Sequence, residues 1–148
     1  MKKQVIFAIG VIVLLSVIVV TFFGTQVSID QFQIYMTQVE ITNYDFIAAN
    51  GQKMIEINYD PITESASVHL EYEYAPDDAT HPEHVTFTLA NATYTNPTTG
   101  VTTTYATIDR WGIVTFNNLT SSRLIRVTIR TTDGSNLTDT VAIFCKVN

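Results

Sequence analysis

Three histidines, His69, His81 and His84, fall within a sixteen-residue stretch that also carries Glu71, Glu73, Asp77, Asp78 and Glu83. Imidazole and carboxylate together suit zinc or copper, and carboxylates alone suit calcium. His69, His81 and His84 with Asp77 or Asp78 are therefore the candidate metal ligands. No spacing of a closed metal site is present, and a proline between two histidines is common in loops. The stretch thus also reads as a solvated acidic loop that needs no cofactor, and that is the preferred reading.

Asn91, Asn118 and Asn136 each open an Asn-x-Thr triplet, the acceptor signature for N-glycosylation, and each falls at an expected strand end or loop. Trp111, between Arg110 and Gly112, is either a ligand-stacking residue or a core anchor, and a lone tryptophan in a small β domain is expected in the core. Tyr59, Tyr72 and Tyr74 read likewise as core or sheet-face packing. Cys145 is the one cysteine and shares its strand face with Val141, Ile143 and Val147, so it is expected as a buried free thiol. Neither a Gly-x-Gly-x-x-Gly or phosphate-cradling loop nor a serine elbow occurs. The chain is expected to be non-enzymatic.

These residues ride on short alternating runs. Apolar residues at 27, 29, 32, 34, 36, 39 and 41 slip phase twice, which implies a bulged first strand or two short ones. Asn50-Gly51 joins Phe46-Ile47 to the run Ile55, Ile57, Tyr59 as a hairpin, and Asp60-Pro61 ends it. Val68, Leu70, Tyr72 and Tyr74 make one period-2 face, the loop 75–84 follows, and Val85, Phe87 and Leu89 make the next. A turn at 96–100 leads to a strand over 101–108 and another over 113–116. Ile125, Val127 and Ile129 then lead through the Asp133-Gly134 turn to Leu137, Asp139, Val141, Ile143, Cys145 and Val147. About eight strands, with turns at this spacing and 23 threonines, predict an all-β, antiparallel, immunoglobulin-like β-sandwich over residues 27–148.

Before it lies a run of nineteen uncharged residues, 5–23, long enough as a helix to cross a bilayer. Lys2 and Lys3 precede it, and the next basic residue is Lys53, so residues 1–4 are expected in the cytoplasm and the β domain outside the cell membrane. A cleaved signal peptide would have a shorter apolar segment and small residues at its exit, where Phe22 and Phe23 stand. The expectation is a retained single-pass anchor, with lipid bilayer as its first partner. All 14 acidic residues follow the anchor, against six basic ones, which argues against nucleic acid or anionic lipid as a partner of the domain, since both require a basic face. Eleven of the acids and one base lie in 30–90, and three acids and five bases follow. Such a chain could dock on a complementary neighbour or on copies of itself, although two sheet faces of different charge explain the same pattern.

The anchor at 5–23 and the terminal hairpin 123–147, with its RVTIRTTDGSNLTDTV run, resemble the small bitopic surface proteins of archaea, among them pilin-like subunits and archaellum stator proteins. The resemblance implies an immunoglobulin-like ectodomain at the cell surface. Lys2-Lys3-Gln4 departs from the site that pilin peptidases cut. The function expected is a non-enzymatic accessory subunit of a membrane complex or an envelope anchor, contacting other membrane or envelope proteins. The alternatives are a pilin-like filament subunit and a metal-binding ectodomain supporting a membrane metalloenzyme.

Overall fold

The computed structural model describes residues 33–147. The expected membrane anchor and residues 27–32 of the expected domain lie outside the described residues. Among the described residues there is no helix, and none of them forms a span that would cross a membrane as a helix. The described residues are all-β. Its strands are β1 (Gln38–Ile41), β2 (Phe46–Ile47), β3 (Lys53–Asn58), β4 (Ser65–His69), β5 (Tyr72–Ala75), β6 (Val85–Ala90), β7 (Thr93–Thr95), β8 (Thr102–Thr104), β9 (Ala106–Ile108), β10 (Ile113–Asn117), β11 (Arg123–Thr131) and β12 (Thr138–Lys146).

The centre is the β11–β12 hairpin. Its alternation puts Ile125, Val127, Ile129, Val141, Ile143 and Cys145 on one face, all fully buried, while Arg126, Thr128 and Thr140 face the other way. Around it grows a five-stranded sheet in the order β2-β3-β12-β11-β6, and β4-β10-β9 form a second sheet. Val114 and Phe116 of β10 and Ala106 of β9 enter the same core as the hairpin residues. Each large aliphatic or aromatic side chain so buried contributes roughly 1.5–3 kcal/mol.

Three features depart from the sequence expectation. The five-stranded sheet is mixed, because β3 runs parallel to β12, with Ile55 opposite Ile143. A tight hairpin forces antiparallel pairing, but these strands are far apart in sequence and the chain between them serves as the crossover. Next, the single alternating run 67–74 is divided between sheets: β4 pairs with β10, and β5 pairs with β1. At the break the Asn43 side chain donates to His69 O at 2.7 Å and accepts from the Glu71 amide at 2.9 Å, replacing the interrupted ladder. Finally, the run 101–108 is cut at Tyr105, whose amide turns to Ala92 O at 3.0 Å. These cuts, with the two-residue β2 and the small β7–β8 hairpin, account for twelve strands among the described residues instead of about eight.

The N-terminal segment is tied down from the first residues described. Ile34 exchanges bonds with Thr80, its amide to the Thr80 hydroxyl at 2.9 Å and its carbonyl from the Thr80 amide at 3.0 Å. Thr37 N donates to Ala75 O at 2.7 Å. The bend there is the expected phase slip, and it lets Met36, Val39 and Ile41 all point inward. Two carboxylates of the central hairpin complete the attachment. Asp133 accepts the Met36 amide at 2.7 Å, and Asp139 accepts the Ile41 amide at 2.7 Å.

Candidate functional site

The loop between β5 and β6 brings together His81, Glu83 and His84. His84 N donates to His81 O at 3.1 Å, a tight turn that sets positions 81 and 84 on one side. Their imidazoles stack in parallel, with centroids 4.4 Å apart and planes 7° from each other. Glu83 Oε1 lies 3.2 Å from His81 Nδ1 and 3.7 Å from His84 Nε2. One ligand atom from each residue fits within 4.8 Å of the other two. The Glu83 amide and the His81 ring hold the Glu83 carboxyl below the usual carboxylate range, so it is an anion at neutral pH.

The other sequence candidates lie elsewhere. His69 is on β4, with Nε2 3.1 Å from Trp111 O. It braces the β9–β10 turn. Asp77 and Asp78 are exposed in the turn after β5 and fall outside the three-residue cluster. The carboxylate that meets the histidines is Glu83, flanked by them in the sequence. Spacing alone did not separate it from the four other acids nearby.

Trp111 is corrected from core to surface: it is 63 % exposed. Asp109 Oδ1 accepts the amides of Trp111 and Ile113 at 2.8 and 2.9 Å, and Gly112 adopts φ 80°, so the turn itself aims the indole outward. The Arg110 guanidinium lies 4.6 Å from the ring centroid. Of the tyrosines, Tyr59 is buried, and Tyr72 and Tyr74 are half-buried on β5. Cys145 is fully buried, and burial pushes its thiol up to about 11.

The three sequon asparagines share an unexpected feature. Asn91, Asn118 and Asn136 are exposed and have φ of 62°, 54° and 58°. Asparagine tolerates this left-handed region better than other residues with a side chain. Turn geometry is therefore a sufficient reason for asparagine at each position, independent of any glycan. Asn136 Oδ1 also accepts from Arg130 at 3.0 Å.

An ionic knot closes the edge of the core. Lys53 Nζ donates to Asp139 at 2.7 Å, to Glu40 at 2.9 Å and to Ile41 O at 3.1 Å. Burial pulls the Lys53 pKa down, but the bonds to Asp139 and Glu40 outweigh it and leave it raised. The outward face of the five-stranded sheet is less polar than alternation alone would require. Phe46 stands opposite Met54, Met54 opposite Ala142, and the next outward pair on the hairpin is Phe144 with Leu124. Phe46 is 43 % and Leu124 50 % exposed. Between these pairs Ala142 is buried, and the rows also carry Arg126 opposite Ala142 and Glu56 opposite Phe144, so the apolar surface forms two patches, Phe46 with Met54 and Phe144 with Leu124. Compared with protein-family models and with curated proteins, the chain matches none.

Proposed function

We propose that the chain is a non-enzymatic, single-pass membrane protein with its N-terminus in the cytoplasm. Its ectodomain is then an immunoglobulin-like sandwich that contacts other membrane or envelope proteins, as an accessory subunit or envelope anchor. The observation that carries this reading is the apolar surface on the outward sheet face, Phe46 beside Met54 and Leu124 beside Phe144, since exposed apolar patches mark contact sites. The attachment of residues 34–41 adds to it. The chain is fixed to the domain from Ile34 on, eleven residues after the apolar run ends at Phe23. Eleven residues reach at most about 40 Å, so the partners are neighbours at the membrane surface. The experiment is a photo-crosslinking residue at position 124 of the full-length protein in native membranes. A discrete adduct with a second membrane protein supports the reading, and an adduct only with copies of itself favours a filament subunit.

A further inference from the structure

His81, Glu83 and His84 form a cluster that protein contact does not require. We propose that these three side chains are a solvent-open binding site for one borderline divalent cation, Zn²⁺ or Cu²⁺. The donor set is two imidazoles and one carboxylate, which suits those metals; Ca²⁺ would want oxygen ligands alone. Around zinc with bonds of 2.0–2.1 Å, neighbouring ligand atoms stand about 3.4 Å apart. The 3.2 and 3.7 Å separations from Glu83 Oε1 to the two ring nitrogens already bracket that value. The remaining separation is within 4.8 Å. Because a ring nitrogen binds a metal in its own ring plane, one imidazole must turn out of the parallel stack to share the ion, a rotation open to side chains that are 40 and 45 % exposed.

The loop is braced on both sides. Thr80 is bonded to Ile34 through its amide and its hydroxyl, and His84 O accepts the Thr132 amide at 2.7 Å. The donors are thus displayed on a fixed turn, and less ordering is needed when the ion arrives. Three protein ligands leave the fourth tetrahedral position open to water or to a donor from another molecule. Asp77, Asp78 and His69 have no part in the site.

The test is calorimetric titration of the full-length protein in detergent, stripped with EDTA, with ZnCl₂ and separately with CaCl₂. One saturable Zn²⁺ equivalent is expected, weakened roughly tenfold or more in His81→Ala and in His84→Ala. Glu83→Gln should also weaken it, and His69→Ala and Asp77→Asn/Asp78→Asn should leave it unchanged. Cu²⁺ added to the unaltered protein should show paramagnetic-resonance coupling to two nitrogens, a readout that needs no variant. Absence of saturable Zn²⁺ binding, Ca²⁺ binding of equal strength, or equal losses in His69→Ala would each overturn the proposal.

Discussion

The Asp133 carboxylate, in the turn of the β11–β12 hairpin, accepts the backbone amide of Met36 at 2.7 Å across 97 positions of sequence. Met36 is buried, and Asp133 is held in place by the Ser135 amide and hydroxyl at 2.9 and 2.6 Å. A buried amide left without its acceptor costs about 1–3 kcal/mol. Asp133→Ala should lower the free energy of unfolding by that amount in a urea titration.

The same residue sets an acid limb. Burial raises the Asp133 pKa, but the bonds from the Ser135 hydroxyl and the Met36 and Ser135 amides outweigh it, so the folded value lies below the unfolded one. Its contribution is therefore complete above the unfolded carboxylate range, near pH 4, and is lost as pH falls through the folded value. Asp133→Asn should flatten stability below about pH 4 relative to the parent; an unchanged acid limb would mean that other carboxylates control it.

Lys53 works in the opposite direction. Its folded pKa is raised above 10.5, so its contribution holds below that value and is lost as pH rises through the folded pKa. Lys53→Met strips Asp139 of its cation, and the loss expected is about 1.5–3 kcal/mol, a hydrogen bond to a charged group. Thermal unfolding at neutral pH measures it. Glu40→Gln should matter less, because that side chain is 41 % exposed.

Cys145 should be silent in the native protein. With its thiol at about 11 and no exposed surface, iodoacetamide at pH 8 should label it only after denaturation. Rapid labelling of the folded protein would show that the end of β12 opens.

The sequon asparagines separate two roles by a pair of substitutions. Asn118→Gly keeps the left-handed backbone and should cost little, whereas Asn118→Gln imposes a strain of about 1–2 kcal/mol. Both remove the acceptor, so a stability difference between them in unglycosylated protein reads the turn alone.

Much of this architecture was legible, in some regions more than others. The β11–β12 hairpin and β6 follow a clean period of two, and Asn50-Gly51 and Asp133-Gly134 announce their turns. Asp139 was also visible as a carboxylate in register with Val141, Ile143 and Cys145, a polar residue on a core face. Its partner Lys53, 86 positions away, could be found only in three dimensions. The run 67–74 alternates without a break, so nothing in it marks Leu70 as the point where the chain changes sheets. Trp111 is exposed against the usual burial of a lone tryptophan because its neighbours, Asp109 and Gly112, build a turn that points it outward. Among the acids near the histidines, the four-residue hydrogen-bonded turn 81–84 selected Glu83, and composition carries no trace of that choice.

The most direct test of the proposed function is mass spectrometry of what co-purifies with the intact protein from native membranes, with its N-terminus read in the same run. The account predicts a stoichiometric set of other integral membrane proteins and a chain that keeps Lys2 and Lys3. A lone monomer, or only copies of itself with those residues removed, would contradict it.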